Sequence, residues 1–156
     1  MSESLFEALS PILKHLAGVD ISSPTAAEEL NASLSIDSDL LQKIKSMVAH
    51  GINNGELTPR GEEGMRYGRV SKAVDGSQGF SIDAVHMNGP GPGHTHPKGE
   101  IDLCLALSGE PRFDGEPPGW VVKKPGSWHV PTVTGGEMAI LYFLPEGAIE
   151  FGPRPE

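Results

Sequence analysis

The sequence is poor in cysteine, in basic residues and in long apolar runs, and each shortage excludes a class of protein. The single cysteine among 156 residues, Cys104, rules out an internal disulfide and fits a reducing cytoplasm, where we expect the protein to reside. No hydrophobic run approaches the ~20 residues that a membrane helix needs, so no membrane partner is expected. Twelve Lys and Arg residues against 21 Asp and Glu give a net charge of -9, which disfavours nucleic acid as a partner.

Glycine and proline are scarce in the first third of the chain and abundant after it. Residues 1–50 contain one Gly and two Pro, whereas the remaining residues contain 19 Gly and 12 Pro. The change in composition predicts an N-terminal helical segment over residues 1–55 and a β-barrel over residues 56–156, which together form one structural domain. The helical segment is expected to cap the barrel or to build a dimer interface.

Apolar residues recur at helical spacing in the first region. Residues 5–16 show this period, and Pro11 is expected to kink or split that helix. The sequence "TAAE" at residues 25–28 has the pattern of a capping box at a second helix. Residues 40–48 predict a third helix, with Asp37 or Ser38 as its N-cap.

Short β-prone runs separated by turn residues fill the second region. They are "MRYGRVSKAV", "GFSIDAVHM", "EIDLCLAL", "PRFDG", "GWVVKK", "SWHVPTV" and "EMAILYFLP". Strands at a spacing of about ten residues predict an all-β sandwich or barrel, and no helical period lies between them to suggest a parallel α/β sheet. The tail "FGPRPE" is expected to be a loose end.

One stretch of this region, "GPGPGHTHPKGEIDLCLALSG", places two histidines and a glutamate at the start of an apolar strand. Residues i and i+2 of a strand point to the same side, so His94 and His96 are expected to face inward together. Glu100 has the same parity. A third imidazole, His129, follows the Pro-Gly turn in "KKPGSWHVPTV".

Three imidazoles and one carboxylate from neighbouring strands make a complete ligand set for a divalent ion. Histidine nitrogen and carboxylate oxygen suit Fe, Mn, Ni or Zn, as well as Cu. The alternative for the His-x-His pair alone is an ordinary surface loop. The spaced Glu100, the distant His129 and the all-β context favour a metal centre at His94, His96, Glu100 and His129.

These residues resemble the two motifs of the cupin superfamily. The first motif is matched by Gly89, His94, His96, Glu100 and Gly109, and the second by Gly119, Pro125, Gly126 and His129. The resemblance implies a mainly-β fold, a cupin-type double-stranded β-helix or jelly-roll barrel, here with an N-terminal helical segment, and it implies a homodimer. The chain departs from the motifs in the longer Glu-to-Gly spacing, in Pro125 directly preceding Gly126, and in Val133 where many cupins have Asn. None of these departures removes a ligand.

Four further segments, together with the helical leader, resemble the small cupin family of 4-hydroxylaminobenzoate lyases. They are "HPKGEIDLCLAL", "FDGEPPGWVV", "PGSWHVPTV" and "LYFLPEGAIEF". The resemblance implies a metal-dependent lyase that converts 4-hydroxylaminobenzoate to 3,4-dihydroxybenzoate and ammonia. The partner would then be a small aromatic carboxylate. The reaction is redox-neutral, so no flavin or nicotinamide is expected.

Strand parity ranks the residues that could act on such a substrate. Asp102 shares the parity of Glu100, so it is our candidate catalytic acid/base, with a hydrogen bond to a ligand histidine as the alternative role. Arg69 and Arg66 lie on opposite faces of one predicted strand, and we favour Arg69 for the substrate carboxylate. Tyr142 alternates with apolar residues and is expected in the core or the pocket.

The two tryptophans can be interpreted in two ways. Trp120 and Trp128 could line an aromatic pocket, but filling a small barrel is the favoured interpretation.

Two other functions stay open on the residues alone. One is a metal-dependent dioxygenase, which would consume O₂. The other is a non-catalytic ligand-binding protein, which would bind metal without turnover.

Overall fold

The computed structural model describes residues 4–155, and they form four α-helices, one short 3-10 helix (Asp75–Ser77) and nine strands. The helices are α1 (Leu5–Ala8), α2 (Ser10–Leu16), α3 (Ala26–Ser33) and α4 (Asp39–Asn53). The strands are β1 (Arg60–Glu62), β2 (Met65–Ser71), β3 (Phe80–Met87), β4 (His94–His96), β5 (Glu100–Phe113), β6 (Gly119–Lys123), β7 (Ser127–His129), β8 (Val133–Pro145) and β9 (Glu150–Phe151). The predicted mainly-β fold with an N-terminal helical segment is confirmed.

Local sequence explains where the helices begin, with one exception. Pro11 lies in the first turn of α2 and the chain is split at Leu9, so the predicted interruption is confirmed. Ser38 caps α4 by accepting a hydrogen bond from the backbone N–H of Leu41. The predicted capping box at Thr25 is wrong, because the Thr25 hydroxyl pairs with Ser23 and makes no cap bond to α3.

The strands form two antiparallel sheets. The larger sheet has the order β1-β2-β3-β8-β5-β6, and the smaller sheet has the order β7-β4-β9. Sequence reasoning missed β1, β4 and β9 as separate strands. It also predicted two strands, "EIDLCLAL" and "PRFDG", where the structure has the single strand β5 with register shifts between Ala106 and Arg112. The tail is not entirely loose, because Phe151 of β9 pairs with His94.

The central strands of the larger sheet are buried on both faces. Residues of β5 and β8 that point outward pack against the helices in a helix-side cluster, which includes Ile101, Leu103, Leu105, Leu141 and Phe143 from the sheet and Leu9, Ile12, Leu13, Leu41, Ile44 and Val48 from the helices. The alternate residues point inward and form an inner cluster, which includes Val85, Met87, Cys104, Phe113, Ile140 and Tyr142. β5 therefore places Glu100, Asp102 and Cys104 inside, as parity predicted.

The helical segment is part of the same packed unit, since its apolar faces share one cluster with the sheet. The change from helix to strand falls between Asn53 and Arg60, and the boundary at residues 55 and 56 stays a prediction. Among residues 4–155, no helix combines the length and the hydropathy that a membrane crossing would require.

Candidate metal centre and cavity

The two sheets bring the four predicted ligands together. In the smaller sheet, His94 on β4 lies directly opposite His129 on β7, and His96 lies opposite Ser127. Glu100 begins β5 of the larger sheet, after a turn in which the Gly99 N–H donates to the carbonyl of His96. Gly99 adopts φ of +88°, a left-handed conformation that favours glycine. The turn returns the chain so that Glu100 faces the histidines.

The ligand atoms converge on one point. The ligand nitrogens and carboxylate oxygen of His94, His96, Glu100 and His129 all lie within 4.8 Å of one another. The Nε2 atoms of His94 and His96 are 3.4 and 3.2 Å from the Glu100 carboxylate. The Nε2 atoms of His94 and His129 are 3.2 Å apart. The spacing matches four donors around a single ion.

Each of the three candidate ligand histidines forms a hydrogen bond within the protein through Nδ1, the ring nitrogen that faces away from the centre. His94 Nδ1 donates to the carbonyl of Pro92 at 3.1 Å, and His129 Nδ1 donates to Asp114 at 2.6 Å. His96 Nδ1 lies 3.1 Å from the hydroxyl of Ser127, which itself donates to the carbonyl of Lys124 and therefore accepts from the ring. With Nδ1 carrying the hydrogen, each neutral ring presents an Nε2 lone pair to the centre.

The converging lone pairs fit a metal ion and fit little else. Two Nε2 acceptors 3.2 Å apart repel each other unless a cation or a proton lies between them. The Nε2 of His96 and both carboxylate oxygens of Glu100 are buried without a hydrogen-bond partner among the described residues. Since buried polar atoms are normally satisfied, a divalent cation is the group that these atoms can hold together.

Asp102 lies two residues after Glu100 on the same face of β5 and is fully buried. Burial, followed by the charge of Glu100, raises the pKa of Asp102 well above its usual value. Burial also opposes charge on Glu100, but its close neighbours His94, His96 and Asp102 lower its pKa. Of the two carboxyls, Asp102 therefore holds a proton more firmly than Glu100 does. Asp102 is not among the residues that line the cavity, so the geometry favours support of Glu100 over direct contact with a substrate.

A cavity of about 380 Å³ opens beside the metal centre. His94 and Glu100 form part of its wall, so the ion site is accessible from it. Most of the other lining residues are apolar or aromatic: Met65, Tyr67, Val85, Pro92, Pro131, Tyr142, Leu144, Ile149 and Phe151. A volume of this size suits a small organic molecule.

Only one of the two candidate arginines reaches this cavity. Arg69 lines it and donates from Nε to Asp83 at 2.5 Å, a bond that leaves its terminal nitrogens out of the pair. Arg66 lies on the opposite face of β2 and donates to the backbone carbonyl of Thr58. Burial raises the pKa of Asp83 despite the charge of Arg69. The structure therefore offers Arg69, and not Arg66, to a bound anion.

Aromatic residues divide between the cavity wall and the core. Tyr142 lines the cavity, and its hydroxyl contacts the sulfur of Met87 at 3.8 Å. Trp120 belongs to the helix-side cluster and donates to the carbonyl of Leu34. Trp128 donates to the carbonyl of Gly152. Neither tryptophan lines the cavity, so the interpretation of them as pocket residues is wrong.

Sequence reasoning missed several residues of the site, among them Asp83, Asp114 and Phe151. Asp83 reaches the cavity because β2 and β3 pair it with Arg69. Phe151 pairs with His94, and their rings are 5.7 Å apart. Asp114 lies in the turn after β5, where only the pairing of distant segments brings it to His129. The alternation in "AIEF" was the one signal that could have revealed β9.

Comparisons with known proteins extend the resemblance that the motifs predicted. A family described as "PnbB: 4-hydroxylaminobenzoate lyase" matches residues 9–151. A protein named 4-hydroxylaminobenzoate lyase from Nocardioides sp. (strain LMS-CY) is 28% identical, covering 98% of this chain and 96% of its own length. A protein of the same name from Pseudomonas putida is 30% identical, covering 78% of this chain and 80% of its own length.

Solved structures similar to this chain include cupin proteins. An RmlC-like cupin protein from Ralstonia eutropha JMP134 has a TM-score of 0.45 and 14% identity over 59% of this chain and 62% of that chain. A protein with a double-stranded β-helix domain from Klebsiella pneumoniae has a TM-score of 0.44 and 16% identity over 61% of this chain and 90% of that chain. Because the family match spans nearly all of the described residues, this chain belongs to the 4-hydroxylaminobenzoate lyase family of enzymes.

Proposed function

We propose that this chain is a metal-dependent lyase that converts 4-hydroxylaminobenzoate to 3,4-dihydroxybenzoate and ammonia. Membership of the family and the names of the two relatives support the reaction. The observation that carries the metal dependence is the convergence of three Nε2 lone pairs and the Glu100 carboxylate on the wall of an apolar cavity.

His94, His96, Glu100 and His129 would hold the ion, and the donor set suits Fe, Mn, Ni or Zn. When bound, such an ion supplies Lewis acidity toward a leaving oxygen or an attacking water. The protein contributes the Nδ1 hydrogen bonds that fix the three imidazole rings. It also contributes an apolar wall that excludes bulk water from the reacting atoms.

The reaction balances with one water consumed. Loss of the hydroxylamino oxygen as water breaks the N–O bond, and a water molecule then adds to the adjacent ring carbon. A second water hydrolyses the resulting imine and releases ammonia. No electron leaves or enters from outside, so the chain needs no redox cofactor. Proton transfers accompany each of these steps and call for a general acid/base.

Substrate orientation is assigned to the cavity wall. Arg69 is proposed to receive the benzoate carboxylate, because it is the guanidinium that lines the cavity and its terminal nitrogens lie outside the pair with Asp83. Tyr142 and Phe151 would contact the aromatic ring. Asp102 is retained as the proposed acid/base, acting through Glu100 because it does not line the cavity itself.

The decisive experiment uses the metal-loaded protein and 4-hydroxylaminobenzoate under nitrogen. Ammonia and 3,4-dihydroxybenzoate should appear in equal amounts, and His129→Ala protein carried through the same loading should release neither. Turnover that needs O₂ would overturn the lyase assignment in favour of a dioxygenase. Bound metal without any turnover, in air or under nitrogen, would favour a non-catalytic ligand-binding protein.

The proposal also includes an oligomeric state and a cellular location. The family resemblance favours a homodimer, and the single, fully buried Cys104 fits a reducing cytoplasm. Light scattering of the purified protein checks the first, and fractionation of the producing cell checks the second. A monomer at micromolar concentration would remove the dimer from the proposal without affecting the reaction.

A further inference from the structure

Asp114 lies outside the predicted ligand set, yet both of its carboxylate oxygens are committed around His129. Its Oδ2 accepts the hydrogen bond from His129 Nδ1 at 2.6 Å. Its Oδ1 accepts the backbone N–H of Thr132 at 2.9 Å, three residues beyond that histidine. A carboxylate bound at both oxygens cannot rotate away from the ring that it holds.

A lysine fixes the same carboxylate from the larger sheet. Lys123 Nζ is 2.9 Å from Asp114 Oδ2, and Lys123 lies opposite Glu100 in the pairing of β5 with β6. The side chains of Lys123 and Asp114 are mostly buried, at 22% and 16% exposed, so this pair is less screened than a surface ion pair. Asp114 therefore links the ligand from the smaller sheet to the strand beside the ligand from the larger sheet.

The three ligand histidines are held by acceptors of different strength. His94 donates to a carbonyl and His96 to a hydroxyl, whereas His129 donates to a carboxylate. His129 is also the most exposed of the three, at 12% against 4% for His94 and 0% for His96. Its ring is the least confined by packing, so it depends most on its hydrogen bond for orientation.

The backbone at Asp114 is shaped to present this carboxylate. Asp114 has φ of +50°, a left-handed conformation that Asp and Asn tolerate better than most other residues. The turn is closed by a hydrogen bond from Phe113 N–H to the carbonyl of Glu116, and the Asp114 N–H donates to the carbonyl of Thr132. Asn is thus the substitution that keeps the turn while removing the charge.

From these contacts we infer that Asp114 is a positioning residue of the metal centre, which orients His129 and sets the affinity for the ion. The inference rests on the proposed metal dependence. A carboxylate that accepts from a ligand imidazole fixes the ring and makes its other nitrogen a stronger ligand, and loss of such a partner commonly weakens metal binding by about 10–100-fold. The residue itself does not touch substrate.

The test measures Co²⁺ affinity by competition with a chelator, together with the visible spectrum of the bound Co²⁺. Asp114→Asn should bind Co²⁺ about 10–100-fold more weakly than the unaltered protein, with shifted absorption bands. Glu116→Gln is the matched control, because it removes one charge from an exposed side chain of the same turn and should leave affinity and spectrum unchanged. Asp114→Asn also removes the carboxylate that pairs with Lys123, so the metal-free variant should melt below the metal-free parent, and Co²⁺ affinity is compared at a temperature at which both are folded.

A double variant separates positioning from a general effect of charge. In a His129→Ala background, the added Asp114→Asn change should have no further effect on Co²⁺ affinity, because its partner is already gone. An equal loss in both backgrounds would overturn the inference, and so would parental affinity in Asp114→Asn alone. Failure of the unaltered protein to bind Co²⁺, Zn²⁺, Fe²⁺, Mn²⁺ or Ni²⁺ would instead overturn the proposed metal centre, and the inference with it.

Discussion

The helix-side cluster and the candidate metal centre are both buried, but they bury groups of opposite character. The cluster joins α1–α4 to one face of the sheet through aliphatic and aromatic side chains. The metal centre buries three imidazoles and Glu100, and several of their atoms have no partner among the described residues. β5 contributes to both, because Ile101 and Leu103 face the helices while Glu100 and Asp102 face the interior.

This contrast separates the stability of the protein from its chemistry. Burying apolar side chains stabilises the fold, whereas burying carboxylate and imidazole acceptors against one another destabilises it until a cation joins them. The helix-side cluster should therefore tolerate the loss of metal, and the metal centre should tolerate moderate losses of stability.

The largest effect is expected at the ligands. His94→Ala, His96→Ala or His129→Ala should lower metal affinity by at least about 1000-fold, since a lost ligand costs more than a lost supporting residue. Metal content and chelator competition on the purified protein measure the loss. His50→Ala, an exposed histidine of α4, is the control and should bind metal normally. Unchanged metal content in all three ligand variants would show that the site assignment is wrong.

Leu41→Ala should lower the stability of the fold and leave the metal affinity unchanged. Leu41 is fully buried in the helix-side cluster, and its truncation should lower the free energy of unfolding by about 3 kcal/mol. Denaturant unfolding of the metal-free protein measures the change, and Ser46→Ala on the exposed face of α4 should lie within about 0.5 kcal/mol of the parent. A matching fall in the metal affinity of folded Leu41→Ala would break the separation.

Arg69→Met should weaken substrate binding more than it slows turnover. Loss of a charged hydrogen-bonding partner should raise KM for 4-hydroxylaminobenzoate by about 30-fold, with a smaller change in kcat. Steady-state kinetics measure both constants. Arg66→Met is the matched control, because Arg66 lies on the opposite face of β2, and its KM should change by less than about twofold. Equal effects of the two substitutions would remove Arg69 from the carboxylate site.

Asp102→Asn should lower turnover by about tenfold and leave metal affinity within about threefold of the parent. The amide preserves the size of the buried side chain, whose pKa burial raises, but it cannot pass a proton to Glu100. Metal titration followed by kinetics on the loaded protein distinguishes the two effects. Full activity would remove Asp102 from the acid/base role.

The smallest effect is expected at a helix end. Ser38→Ala removes the hydroxyl that accepts from the Leu41 N–H and should cost about 1 kcal/mol of unfolding free energy. Thr25→Ala should cost less than about 0.5 kcal/mol, because the Thr25 hydroxyl makes no cap bond to α3. Thermal or denaturant unfolding of the two variants in parallel checks this difference. A larger loss at Thr25 would restore the capping box that the sequence predicted.

The sequence predicted those features that depend on period and local spacing. Parity along one strand was sufficient to place Glu100, Asp102 and Cys104 inside, since the first residues of β5 are regular. A Pro in the first turn was sufficient to predict the split helix. The cap at Thr25 failed because a neighbouring Ser23 hydroxyl competes for the same side chain at short range.

Features that depend on register between distant strands were beyond sequence reasoning. The contact of Asp114 with His129 requires a left-handed turn and the correct alignment of the segment at Thr132. The pair of Arg69 and Asp83 requires the alignment of β2 with β3. Neither alignment can be predicted from composition or periodicity. Parity shows which residues face inward, but it does not show which inward residue of one strand lies opposite which residue of the next.

The position of β8 at the centre of the larger sheet has a consequence for the order of folding. β8 pairs with β3 through contacts such as Phe80 with Pro145, and with β5 through contacts such as Ile101 with Phe143. Both neighbours are synthesised before it, so neither can complete its ladder until residue 145 has left the ribosome. Since pairing between distant segments slows folding, the nascent chain should hold unpaired edges on β3 and β5 until β8 emerges.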